Sequence, residues 1–205
     1  MRFTVFGATG PIGRSFLRTT ADRGIDTVAF VRDPARLAGA PAGRIVTGDV
    51  FDQAGVRAAV TGSDAVLVAF GLKRDRRTPL YSDGTQTIVE AMESAGVRRL
   101  LVMSEASYGR HVTGVLNRLI VGAYGLLNAP ALAERRRQDD VVARSGLDWT
   151  IVRGRVISDL PSRGPIPVRL NPHGRVTDRT AGTDLARFMV DITADVTTFS
   201  HNVYP

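Results

Sequence analysis

Three glycines at a step of three, Gly7, Gly10 and Gly13 in "FTVFGATGPIGRSF" (3–16), follow an apolar run and precede a helix-period segment. Glycine is costly inside strands and helices, because it gives up the most backbone freedom on folding. The cost is offset where a strand hands over to a helix beside a phosphate. One glycine makes the tight bend, a second lets bare backbone approach a pyrophosphate, and a third lets helix and strand pack closely. The helix tip offers unpaired N–H groups and the positive end of its dipole to the anion. Here the order is strand (2–7), turn, and a helix from about Pro11 to Arg23, with Pro11 suited to a first helical turn. The spacing is G-x-x-G-x-x-G, not G-x-G-x-x-G. The expectation is a dinucleotide held by Gly7, Thr9, Gly10, Pro11 and Ile12, with the Thr9 hydroxyl on a phosphate.

The rest of the chain keeps the same rhythm. Strand patterns at 26–32, 44–49, 64–71, 98–104 and 147–154 alternate with helix patterns at 53–60 and 81–96 and a short segment Pro34–Leu37. The strand interiors are continuously apolar, as strands covered on both faces must be. That alternation predicts an α/β fold: a doubly wound parallel sheet in three αβα layers, one domain over 1–205. After Gly154 the pattern turns irregular and proline-rich ("SDLPSRGPIPVRLNPHG", 158–174). A short strand at Arg175–Thr177, a helix at 183–193 and an extended "HNVYP" follow. Residues 155–205 are expected to form a C-terminal cap on the substrate side.

Composition narrows the partners. The chain has no cysteine, which excludes disulfides, thiolate catalysis and Cys-ligated metals, and no metal is expected. The net charge is +7, but the basic residues are spread along the chain without interleaved aromatics, so no specific nucleic-acid site is expected. The longest apolar stretch, 114–127, contains Arg118 and is shorter than the ~20 residues that span a membrane. No charged-then-apolar leader is visible. A cytoplasmic monomer or homodimer acting on a small molecule is expected.

The second strand pattern ends at Val31-Arg32-Asp33, where a ribose-reading residue belongs. A carboxylate there accepts from the 2′-hydroxyl and repels a 2′-phosphate, whereas Arg32 pairs with that phosphate. Arg36 lies one turn onward. The pair predicts NADP(H) in preference to NAD(H). Asp49 in "TGDVFD" is placed to accept from the adenine amino group beside Val50, or to cap the next helix. Phe70-Gly71 end the fourth strand where the chain must pass the cofactor closely.

Together "GATGPIG", "VRDPARL", "GDV", "SDGTQTIVEAMESAGVRRLLVMS", "SGLDWTIVRG" and "TAGTDLARFMVDI" resemble the atypical short-chain dehydrogenase/reductases. The resemblance is to the NAD(P)H-binding group with flavin reductase/biliverdin reductase B and NmrA-like proteins. It implies a Rossmann-type domain, NADP in the glycine turn and substrate over the C-terminal strand ends. Mainstream members use a Tyr-x-x-x-Lys pair. Here positions 85, 112 and 128, four after Tyr81, Tyr108 and Tyr124, are Thr, Val and Asn, and the sole lysine is Lys73. The resemblance places Ser104 facing the nicotinamide, with Glu105 where a second hydroxyl is common. Tyr108 is a candidate proton donor or stacking residue. Met103 and Arg153, at the ends of the fifth and sixth strands, are further candidate contacts. Arg153 either anchors an anion or pairs within the core. Flavin and biliverdin reductases carry a histidine shortly after the sixth strand, and "RGRVISD" (153–159) has none, which argues against biliverdin-type chemistry. The segment 109–130 is read first as a lid over a flat, apolar or aromatic acceptor such as a flavin or quinone. Hydride transfer from NADPH to that acceptor is the leading expectation, and an NmrA-like cofactor sensor is the alternative.

Overall fold

Apolar side chains on both faces of a strand need cover on both sides, and the architecture supplies it. A computed structural model describes residues 1–71, 79–105, 115–154, 156–158, 161–166, 179–193 and 201–203. β1 (Arg2–Phe6) leads through the glycine turn into α1 (Pro11–Asp22), followed by β2 (Asp26–Val31), a 3-10 turn at Pro34–Leu37, and β3 (Arg44–Thr47). Then come α2 (Gln53–Val60), β4 (Ala65–Val68), α3 (Ser82–Ala95), β5 (Arg99–Glu105), α4 (Val115–Leu127), α5 (Ala129–Arg144) and β6 (Asp148–Gly154). The remaining elements are β7 (Val156–Ser158), β8 (Arg179–Ala181), α6 (Gly182–Asp191) and β9 (His201–Val203).

The main sheet runs β3-β2-β1-β4-β5-β6-β9, every pair parallel. Alternate residues divide between two cores. Phe3, Val5, Ala29, Leu67 and Leu101 join α1 and α6 on one face. Phe6, Val28, Val66, Val68 and Leu100 join α2, α3 and Val142 of α5 on the other. Thr4 is one of the buried polar residues of the sheet, and its hydroxyl meets the Ala59 carbonyl and the Ser63 hydroxyl at 2.8 and 2.7 Å. β3 is the edge, and its Ile45 is 48% exposed, so the two-sided burial expected of every strand stops there.

Strand order reverses between β1 and β4, and in open α/β sheets ligands bind in the crevice at that switch point. The glycine turn after β1 and Phe70-Gly71 after β4 both sit at its C-terminal side.

The structure adds to the sequence reading in three places. Helix α5 carries too little apolar periodicity to be seen, because its buried stripe is Leu132, Arg135, Gln138 and Val142, half of it polar. The C-terminal quarter, expected as a cap, contributes several described elements. α6 belongs to the core beside α1, and β9 extends the sheet next to β6, while β7 and β8 pair separately. Buried Arg99 ties that region in, donating to the Ile192 and Thr193 carbonyls at 2.8 and 2.9 Å. A strand forms at Arg179–Ala181, whereas the strand expected at 175–177 lies outside the described residues. Within 109–130 the structure places α4, whose Val115, Leu119, Leu126 and Leu127 are 66–83% exposed.

Candidate functional site

The three glycines do three different jobs. Gly7 has φ +80°, and a Cβ there would lie 2.3 Å from the Ala69 carbonyl oxygen, so the bend can be glycine alone. A Cβ on Gly13 would lie 2.4 Å from the Gly7 oxygen, so this glycine lets helix and turn pack. Gly10 is different. Its φ and ψ (−78°, 167°) suit any residue, and a Cβ would point toward the Gly7 and Ala69 carbonyl oxygens, at 3.3 and 3.9 Å, a close but passable fit. Gly10 is also the N-cap of α1, which has no side-chain cap and no acidic residue in its first turn. The helix tip is therefore left to an external anion, which is the fit a dinucleotide pyrophosphate requires.

A cavity of about 660 Å³ opens from this tip, within the range of small-ligand sites. Of the residues expected to hold cofactor, Gly7, Thr9, Gly10, Pro11, Arg32, Arg36, Asp49, Val50, Phe70 and Gly71 line it. Ile12 is buried beneath the turn. Met103 instead packs in the core against Gly154, and Ser104 and Arg153 lie outside the cavity wall. Tyr108 lies outside the described residues.

Just past β2, Asp33 accepts the Ala35 amide at 3.0 Å as cap of the 3-10 turn. Arg32 and Arg36 are exposed and have no ion-pair partner among the described residues. Asp49 holds the Phe51 amide at 3.1 Å, and the α2 cap falls to Asp52. The sequence reading missed Arg14, which lines the cavity and donates to the Thr9 carbonyl at 2.8 Å. Its signal was position, one residue past the last glycine.

The other missed residues are on α5. Arg135 is 4% exposed, donates to the Phe70 and Met103 carbonyls at 2.6 and 3.0 Å, and stacks 3.9 Å above the Tyr81 ring. It pins the C-terminal ends of β4 and β5 to the helix. One turn on, Asp139 pairs with Arg153 at 2.8 Å and accepts from the Ser104 hydroxyl at 3.3 Å. Of the two roles open to Arg153, pairing within the core is the one seen. Glu134 lines the cavity and holds the Ser82 hydroxyl at 3.0 Å. No group of metal-ligating side chains occurs among the described residues.

A family model described as NAD(P)H-binding matches residues 7–196. The chain belongs to that NAD(P)H-binding family. The short-chain dehydrogenase/reductase resemblance read from the motifs agrees with it. A 3-diazoavenalumate denitrifying reductase from a Streptomyces species is 37% identical over 119 residues, covering 52% of this chain and 38% of the relative. The chain spans 38%, 61% and 32% of the lengths of three curated relatives it matches. Among solved structures, an anaerobillin reductase from Escherichia coli O157:H7 superposes with TM-score 0.79 at 17% identity, covering 100% of this chain and 96% of that one. A short-chain dehydrogenase/reductase from Veillonella parvula in complex with NADP gives TM-score 0.76 at 18% identity, covering 99% and 93%. At these identities the structures establish the shared fold. Among the described residues, no helix is long and apolar enough to cross a membrane.

Proposed function

We propose that the protein is an NADPH-dependent oxidoreductase that passes hydride to a flat, apolar or aromatic acceptor such as a flavin or quinone. One observation carries the reading: an uncapped helix tip opening onto a cleft whose ribose end holds Arg32 and Arg36 while Asp33 is turned away as a cap. When bound, NADPH supplies the hydride. The chain's own residues bind and orient. The Ile12 and Gly13 amides and Arg14 meet the pyrophosphate, and Arg32 with Arg36 hold the 2′-phosphate. Val50 flanks the adenine. Phe70, held by Arg135 through its carbonyl, sets the level of the chain beside the nicotinamide half. With donor and acceptor held face to face, orientation supplies much of the rate. The apolar walls at Phe70, Leu80 and Tyr81 favour a flat acceptor.

The test is calorimetry with NADPH and NADH, followed by NADPH oxidation with FMN, quinones and enones. Tighter binding of NADPH, by about tenfold or more, and depletion of the reduced-nicotinamide band are expected. No heat with either nucleotide overturns the reading. A second reading, an NmrA-like cofactor sensor, is favoured by the engagement of the Ser104 proton with Asp139. Equal affinity for NADPH and NADP⁺, no turnover and a captured protein partner would select it.

A further inference from the structure

Exposed apolar side chains are gathered on one helix. Of the eight large apolar residues exposed among the described residues, five are on α4: Val115, Leu119, Ile120, Leu126 and Leu127. Their exposure runs from 45% to 83%. Gly122 and Ala123 between them are exposed as well, so every exposed residue described on α4 is apolar. At about 100° per residue, these positions share one arc of about 160° of the helix. A Cβ on Gly122 would meet nothing within 4 Å, so no described neighbour stands against the helix there. A contiguous apolar patch of this kind marks an interaction surface for a protein or a membrane.

Two features favour a membrane. Protein interfaces carry about one hydrogen bond per 100–200 Å² and a polar rim, whereas the exposed side chains described on α4 offer neither donor nor acceptor. The helix has 13 residues, so the face is about 20 Å by about 10 Å, well short of the ~800 Å² that each protomer gives to a standard interface. A fluid hydrocarbon boundary asks for no pattern of polar contacts and no minimum area, since each apolar side chain inserts independently. Charge then selects the lipid. The sequence from Ala106 to Ala133 carries Arg110 and Arg118 and no Asp or Glu, within a chain of net charge +7. A basic segment free of carboxylates is drawn to the negative surface of anionic lipids. Spanning needs ~20 residues, so α4 is long enough only to lie in the plane of the interface.

We propose that α4 is a membrane-surface helix that seats Leu119, Leu126 and their apolar neighbours at the headgroup boundary of an anionic bilayer. α4 leads directly into α5, whose Ala131 and Glu134 line the cleft, so docking ties the cleft wall to the bilayer surface. The docking does not depend on the oxidoreductase reading.

The test is co-sedimentation with phosphatidylcholine vesicles, with and without about one-third phosphatidylglycerol, for wild type and the double variant Leu126→Gln with Leu127→Gln. Wild type is expected to partition onto the anionic vesicles at least about tenfold better than onto the neutral ones, and high salt narrows the gap. The double variant loses about tenfold or more on the anionic vesicles. Both leucines are exposed, so its melting temperature stays within about 2 °C of wild type. Leu126→Trp separates docking through α4 from adsorption by another basic face. Brominated lipid is expected to quench its fluorescence beyond the quenching of Trp149 in wild type.

Wild type left in the supernatant with anionic vesicles overturns the proposal. A double variant that binds like wild type overturns it too, as does Leu126→Trp with no added quenching. A marked fall in melting temperature of the double variant means that this face packs within the fold, which also overturns it. Sedimentation velocity tests the other occupant: a wild-type dimer that the double variant converts to monomer assigns the face to a second copy and removes the bilayer. None of these measurements uses NADPH, so failure here and failure of the oxidoreductase reading are told apart.

Discussion

The glycine turn after β1 and the α5 cluster at the ends of β5 and β6 serve the same edge of the sheet by opposite means. At the turn, function is in the backbone: a bend at positive φ, an uncapped helix tip and the absence of side chains. At α5 it is in polar side chains that meet residues 14 to 65 positions away, through buried charge. The first kind of site tolerates almost no added atom. The second depends on a few polar groups being satisfied together, because a buried donor or acceptor left alone costs more than the bond it made.

The contrast predicts its own sharpest failure. Gly7→Ala forces a methyl group into the Ala69 carbonyl at an unfavourable φ, and should cost about 3 kcal/mol or more, with dinucleotide binding lost. Gly10→Ala meets no such barrier. Its melting temperature should stay within about 2 °C of wild type while NADPH affinity falls by about tenfold or more, because the methyl group crowds the Gly7 oxygen and shifts the turn that presents the helix tip. Thermal melts beside calorimetry decide this. A Gly10→Ala protein that binds normally would show that the turn is shaped for packing alone.

On the α5 side, Arg135→Met keeps the side-chain length and removes the donors to Phe70 and Met103. Two buried carbonyls are then unsatisfied, and urea unfolding should register a loss of about 2–3 kcal/mol. A loss under about 1 kcal/mol would mean the strand ends are held by apolar packing, and the two regions would differ less than they look.

The same difference governs how much of the molecule is legible in its sequence. The sheet, its order of elements and the glycine turn are legible because each is local. Apolar runs with period-2 sharing between two cores make β1, β2, β4 and β5, and three glycines in sequence make the bend. The ten cavity-lining residues named from sequence all follow the ends of β1, β2, β3 or β4. Arg135, Gln138 and Asp139 are not legible, since a run such as "ERRRQDD" reads as a solvated helix face until the fold buries one side of it. Arg153 can be named from its place at a strand end, but its partner cannot. Arg14 is hidden by the abundance of arginine.

A smaller effect is expected at the ribose end. Arg32→Asp replaces an exposed cation in the cleft wall and should weaken NADPH by roughly tenfold to thirtyfold while leaving NADH nearly unchanged, with no loss in melting temperature. Arg36→Ala should do less, as the farther member of the pair. An unchanged nucleotide preference in both variants would move the 2′-phosphate contact to Arg14.

The smallest effect tests the opposite edge. Arg2 and Asp26 face each other across β1 and β2, with Arg2 Nε 2.6 Å from Asp26 Oδ2, at the N-terminal ends of the strands. The hydrogen bond from Arg2 holds the Asp26 carboxyl below its ordinary value of 3.8. A carboxyl lowered by folding stabilises the fold above its unfolded value, and that contribution disappears as pH falls through the lowered one. Both groups are exposed, so the pair is screened by water and salt. Asp26→Asn should therefore lower the urea midpoint slightly at pH 7 and not at all near pH 2, and the gap should narrow in high salt. NADPH affinity should not move, since the pair lies across the sheet from the cleft. A fall in affinity would mean that the glycine turn feels the far end of β1, and the backbone-built site would then be less local than its geometry implies.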